Sequence, residues 1–242
     1  MDISQIILSA MAALVALTIH EYAHGYMAYR LGDETAKSLG RLTLNPIHHI
    51  DPLGAICMIF FHFGWAKPVP INPINFKNPR KGFALAALAG PATNIITGFF
   101  TAFLYLLCYS LFKETGNRFI DNLEINILLF LLYFFSINIG LGIFNLIPVP
   151  PFDGSRILNV ILPDKWYFKV MKYERQIYWG VIAWLFLGQY VYIAFMSIPF
   201  IAGNSALTAI AKFFSLSDLL SDAINAIANG ILNFWRLIPM FR

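Results

Sequence analysis

The chain has 242 residues, 58% of them hydrophobic, 16% aromatic and only 12% charged, far below the roughly 25% charged content of a soluble domain. This excludes a soluble globular enzyme and predicts an integral membrane protein, so the net charge of +4 bears on orientation in the bilayer rather than on nucleic acid. Three runs without a charge, 82–112, 125–152 and 176–211, each exceed the ~20 residues needed to cross the hydrocarbon core.

The first predicted helix runs from Ile3 to about Leu31, with Gly32-Asp33 as its stop signal. It lacks the basic start of a secretory signal and is read as a retained span. Inside it lies His20-Glu21-Tyr22-Ala23-His24. Four-residue spacing stacks both imidazoles on one helical face. Two neutral imidazoles so placed can chelate one Zn²⁺, and the adjacent Glu21 can take a proton from a water activated there. At ~1.5 Å per residue His20 lies about 16 Å from the Leu31 end, inside the membrane slab. Ionisable residues at that depth point to function.

From Gly40 to Asn78, Asn45-Pro46, Asp51-Pro52, Lys67-Pro68, Val69-Pro70 and Asn72-Pro73 predict turns and extended segments. Leu53 to Trp65 is apolar but only thirteen residues long and carries His62, which suits a re-entrant or interfacial segment better than a span. Charge counting agrees. If that segment does not cross, seven Lys and Arg between Arg30 and Lys81 share a side with five between Arg156 and Arg175, and Lys113 and Arg118 lie opposite. The positive-inside rule then turns the motif-bearing end of the first helix toward the cytoplasm.

The second full span, Gly82 to Phe112, contains Gly90-Pro91-Ala92-Thr93-Asn94. Its proline weakens the local helix, Ala86, Ala87, Ala89 and Gly90 permit close helix contact, and Asn94 is a polar group inside the bilayer. By physics alone a kink with an interhelical amide bond explains Asn94 as well as a functional role does. The third, Ile125 to Phe152, ends Asn145-Leu146-Ile147-Pro148-Val149-Pro150-Pro151-Phe152-Asp153-Gly154. Its prolines break the helix, and Asp153 is expected on extended backbone. A catalytic zinc needs a third protein ligand. Asp153 is the first choice and Asp51 the second, with an N-cap role as the alternative for Asp153. His48, His49 and His62 are weaker competitors.

A basic, aromatic linker, Asp164 to Arg175, suits a membrane interface, and a fourth span runs from Gln176 to about Pro199. The tail from Leu216 is amphipathic, lying either at the interface or on the bundle. Cys57 and Cys108 indicate neither a disulfide framework nor a cysteine zinc site. The fold class is therefore an all-α polytopic membrane protein: about four transmembrane helices, a re-entrant, β-containing region and a C-terminal amphipathic helix.

Taken together, His20-Glu21-Tyr22-Ala23-His24, Asn45-Pro46 with Ile50-Asp51-Pro52-Leu53-Gly54, Gly90-Pro91-Ala92-Thr93-Asn94, and Asn145-Leu146-Ile147-Pro148 leading to Phe152-Asp153-Gly154 resemble the site-2 proteases, zinc metalloproteases that cut substrates in or beside transmembrane helices. The resemblance implies one membrane-embedded domain over 1–242, with a catalytic core at 1–158 and an additional span and tail at 159–242. It further implies Zn²⁺ on His20, His24 and Asp153, Glu21 as general base, and Asn94 and Asn145 touching the substrate backbone or the oxyanion. The region from Gly40 to Asn78 would pair with an unwound substrate. The expected partners are a membrane-protein substrate and the lipid bilayer, and the expected location is the plasma membrane of a prokaryote. The PDZ and CBS domains of many relatives are not seen in this sequence. A zinc-binding membrane scaffold or metal carrier is the alternative of a different class.

Overall fold

A computed structural model describes residues 2–54, 66–212 and 215–241. Its described part is helical, and three of its long helices start on a side-chain cap that satisfies an otherwise orphaned N–H. Helix α1 spans Ile3–Arg30, with Asp2 accepting from the Ile3 amide. A short α2 covers Thr35–Ser38. Helix α3, Pro79–Leu111, is capped by Asn78, and α4, Arg118–Asn145, by Asn117. The short α5 is Gly154–Ile161. Helix α6, Asp164–Met196, is bent by 47° between its 164–184 and 187–196 parts. After α7 (Pro199–Ala202) and α8 (Ser205–Lys212), α9 runs Leu216–Trp235.

Three of these helices, α1, α3 and α4, are each long and apolar enough to cross a membrane, and the bent α6 makes a fourth if its halves form one span. They pack through small residues. Ala12, Ala16, His20, Ala23, His24 and Ala28 form the buried stripe of α1, while Ile3, Ile6, Ile7, Met11 and Val15 are exposed. On α3 the stripe is Gly82, Ala86, Gly90, Asn94, Gly98 and Ala102, recurring every fourth residue as a helix face must. Lipid is as apolar as leucine, so close backbone approach rather than large side chains draws such helices together. A Cβ on Gly98 would press on Ile139 at 2.6 Å.

Compared with the sequence reading, α4 begins and ends seven residues before the expected 125–152 span, because Asn117 starts it and the chain turns after Asn145. Asp153 is not on extended backbone: it lies at φ −59°, ψ −33°, at the entry to α5. The proline run bends the chain, yet three residues later it is already helical. Between α2 and α3 lie the single-turn helices Pro46–His49 and Pro73–Asn75, capped by Asn45 and Asn72. Among the described residues there is no strand, only an isolated antiparallel bridge between Ile50 and Ala66. The re-entrant segment predicted for 53–65 lies, from residue 55 on, outside the described residues.

The amphipathic tail takes the second of the two places expected for it. Ile224, Ala228, Ile231, Leu232 and Trp235 of α9 pack on a core of Ala102, Phe135 and Ile139, and the Trp235 indole N–H donates to the Phe99 carbonyl at 2.9 Å. Beyond α1, Asp33 ties the helix end to the loop before α3. Its carboxylate accepts from the Thr35 amide and hydroxyl, the Asn72 amide and the Asn75 side chain. Burial works to raise its pKa, but those hydrogen bonds prevail and hold the carboxyl below the usual carboxylate range.

Candidate active site

His20 and His24 face the same way from α1, their Nε2 atoms 3.0 Å apart. The Asp153 Oδ2 atom stands 3.2 Å from each. Both imidazoles are buried. Each has its other nitrogen engaged: His20 Nδ1 at 2.5 Å from Asn94 Oδ1, and His24 Nδ1 at 2.8 Å from the Ala86 carbonyl. Both partners are acceptors, so each Nδ1 carries a proton, and in the neutral rings that metal binding requires each Nε2 is a bare lone pair.

Three bare acceptors within about hydrogen-bonding range repel one another unless a cation lies among them. Asp153 Oδ2 is buried with no hydrogen-bond donor, at a real cost if nothing compensates it. Ligand bonds of ~2.0–2.2 Å in a tetrahedral site separate neighbouring donor atoms by about 3.3 Å, close to the 3.0 and 3.2 Å seen here. These residues fit a zinc ion. Among the described residues, His20, His24 and Asp153 are the one trio of potential ligands drawn so close.

The backbone makes room for this arrangement. A Cβ on Gly90 would meet His24 Cε1 and Nε2 at 2.5 Å and His20 Cε1 at 2.8 Å, so glycine keeps α3 out of the ligand space. One on Gly154 would strike the Leu146 and Ile147 carbonyls, blocking the turn that presents Asp153. Although Asp153 occupies the N-cap position of α5, its side chain caps nothing; it turns to the histidines instead.

Glu21, half-buried, accepts the backbone N–H of Val69 at Oε2, 2.7 Å away. In Pro68-Val69-Pro70 that is the one backbone N–H. The segment is itself fastened, since the Lys67 amide donates to the His49 carbonyl and Arg41 donates to the Lys67 carbonyl.

For Asn94 the resemblance implies contact with the substrate backbone or the oxyanion, and the residues alone admit an interhelical amide bond equally. Asn94 is 0% exposed and its amide is committed to the protein: Nδ2 donates to the Ala16 carbonyl and to Asn138 Oδ1, leaving Oδ1 for His20. Asn145 is half-buried at the end of α4, with Nδ2 donating to the Leu141 carbonyl. Asp51 caps the Leu53 and Gly54 amides, outside the ligand trio. His49 donates from Nε2 to the Thr43 carbonyl, His48 is exposed, and His62 lies outside the described residues.

The sequence gives Asn138 no role, and it marks Ala86 only as a small packing residue and Val69 only as part of a turn. Asn138 is fully buried and donates to the Phe134 carbonyl, so its own Oδ1 must face Asn94. An amide in the otherwise charge-free run 125–152 was its one signal. Ala86 and Val69 act through backbone atoms that side-chain patterns do not reveal.

A buried grouping of two histidines and one carboxylate with a second carboxylate, Glu21, next to it in sequence, set among apolar helices long enough to span a membrane, is the arrangement of a membrane metallohydrolase. Comparison with known proteins narrows this. The profile of Peptidase family M50 matches residues 8–187. The protein YwhC of Bacillus subtilis (strain 168) is 42% identical over 178 residues, 72% of this chain and 76% of that protein. "Zinc metalloprotease MJ0392" of Methanocaldococcus jannaschii is 32% identical over 161 residues, 65% of this chain but 35% of that one. Rip2 of Mycolicibacterium smegmatis is 24% identical over 155 residues, covering 60% and 54%. No solved structure matches. The chain belongs to peptidase family M50, the site-2 proteases, and is an integral membrane zinc metallopeptidase. The scaffold or carrier alternative is not favoured.

Proposed function

We propose that His20, His24 and Asp153 hold the catalytic Zn²⁺, that Glu21 is the general base, and that the substrate is a transmembrane segment of another membrane protein. The observation that carries this reading is the trio of bare acceptors, Nε2, Nε2 and Oδ2, converging at 3.0–3.2 Å with Glu21 one residue from His20. When bound, Zn²⁺ supplies Lewis acidity and brings the pKa of a water toward ~7.

The chain's own groups do the rest. The Asn94 amide and the Ala86 carbonyl keep both imidazoles in the tautomer that leaves Nε2 free. The Val69 N–H holds one Glu21 oxygen, and in this reading the other takes a proton from the attacking water and returns it to the leaving amine. Asn94 acts through His20 rather than on the substrate. In this reading Asn145, which spends one amide hydrogen on the Leu141 carbonyl, gives the other to the developing oxyanion. Because a helical substrate has its carbonyls bonded, it must unwind locally before its peptide bond is attacked.

Four spans are proposed, α6 crossing despite its bend, with the active site toward the cytoplasm in a prokaryotic plasma membrane. The positive-inside count supports that orientation. Zinc content and cleavage of a bilayer-inserted peptide should be measured for the parental protein and Asp153→Ala. The reading expects one zinc per chain and cleavage, both lost in the variant; full zinc occupancy in Asp153→Ala removes Asp153 from the ligand set.

A further inference from the structure

The first eleven residues after Pro163 carry charge in two separated sets. At 100° per residue, Lys165, Lys169 and Lys172 fall within about 60° of one another on α6, and all three are exposed. Glu174 and Tyr167 project from the opposite side. That side meets the protein: Glu174 pairs with Arg156 at 2.5 Å, and the Arg80 guanidinium lies 4.1 Å over the Tyr167 ring. Asp164 is bonded by the same Arg80 at 2.7 Å. Both acids of the segment are thus answered from within, while among the described residues no carboxylate pairs with Lys165, Lys169, Lys172 or Arg175.

The uncompensated ridge is flanked by rings suited to an interface. Trp166, Phe168 and Tyr173 are 53%, 67% and 43% exposed, and Lys169 and Lys172 lie 5.2 and 5.6 Å over the Trp166 and Tyr173 rings. Gln176 begins the apolar half of α6. Lys172, Lys169 and Lys165 lie about 6, 10 and 16 Å of helix beyond it, so the ridge starts in the headgroup layer, about 5–8 Å deep on each side, and the long side chains of its outer lysines reach back toward the phosphates. We propose that this ridge binds the phosphates of anionic phospholipid headgroups. It rests on the reading of α6 as a span. The Arg156–Glu174 pair fastens the lipid-bound helix directly to α5, which carries Asp153 at its entry, and Arg80 of α3 braces the same junction through the Asn159 and Leu162 carbonyls.

The test is a titration of the delipidated, zinc-loaded protein with phosphatidylglycerol and with phosphatidylcholine, read by native mass spectrometry. A surface lysine contributes about fivefold toward an anionic headgroup. The parental chain should therefore prefer phosphatidylglycerol, and Lys165→Gln/Lys169→Gln/Lys172→Gln should lose about tenfold or more of that preference. The same three positions changed to Arg should retain it, as should Lys113→Gln/Arg118→Gln at the opposite membrane face. A preference that survives the triple Gln change, or falls equally in the Lys113 and Arg118 control, overturns the proposal. The span is checked separately in a Cys57→Ser/Cys108→Ser background: Lys165→Cys and Asn204→Cys should react with an impermeant maleimide from opposite sides of sealed vesicles. Labelling from the same side overturns the fourth span and the ridge's placement with it.

Discussion

Asn94 and His20, on different helices and 74 residues apart in sequence, are joined by a 2.5 Å hydrogen bond between Oδ1 and Nδ1. The orientation of that amide is set in turn by Asn138, whose Oδ1 takes the Asn94 Nδ2 proton at 2.8 Å. Three spanning helices therefore converge on one imidazole, and the chain of amides decides which of its nitrogens is free.

Removing the far end of this chain should weaken the near end. Asn138→Leu keeps the volume but takes away the acceptor that orients Asn94. Zinc affinity, measured by competition with a chelator, is expected to fall about 10- to 100-fold, the usual cost of losing an outer-shell partner. Asn138→Asp, which still offers an acceptor, should recover most of it. Equal affinity in the Leu variant would show that His20 needs no such support.

At Gly90 even a methyl group is too large. Its Cβ would occupy space within 2.5–2.8 Å of both imidazoles, and an α3 backbone packed on α1 cannot simply withdraw. Gly90→Ala should insert in the membrane normally yet bind no zinc and cleave nothing, checked by metal analysis of the purified variant. Gly180, with open space around it, should accept the same change with full zinc content.

The contact between Glu21 and Val69 is made by a backbone atom, so side-chain substitution alone should barely disturb it. Val69→Ala keeps the N–H and should cost less than about threefold in kcat/KM. Val69→Pro deletes it. A hydrogen bond to a charged group is worth about 1.5–3 kcal/mol, so cleavage should fall roughly 10- to 100-fold with zinc content unchanged.

Asp33 gives the fold a dependence on acid. Its pKa is lowered in the folded protein, so its contribution is complete above the unfolded carboxylate value of ~3.9 and is lost as pH falls through the lower folded value. Thermal unfolding in detergent should show stability declining below about pH 4. Asp33→Asn should be less stable at pH 7 by about 2–3 kcal/mol and should show less of this decline.

Much of the site was legible because its chemistry needs side chains at fixed spacing. His20 and His24 must be four apart to share a helix face, and a missing third ligand pointed to the few acids beside apolar runs. Asp153 stood first among them, and the structure brings it to the two histidines, although on helical rather than extended backbone: prolines announce a break but not how soon the next helix starts. Asn94 stood out as a buried amide, but a lone amide in an apolar span looks the same whether it touches a substrate or a neighbouring ring. Only the partner on α4 separates those cases, and a sequence does not show which helices meet. The place of α9 was open for a similar reason, since one apolar stripe fits a bilayer surface or a bundle equally well.

The central claim is that Glu21 moves the proton while the histidines and Asp153 hold the zinc. The most direct measurement is cleavage by Glu21→Gln in a bilayer, with zinc counted in the same sample. Loss of the base is expected to lower the rate by about 10²–10⁴ with one zinc per chain retained. Parental rates from a zinc-loaded Glu21→Gln protein would contradict the account.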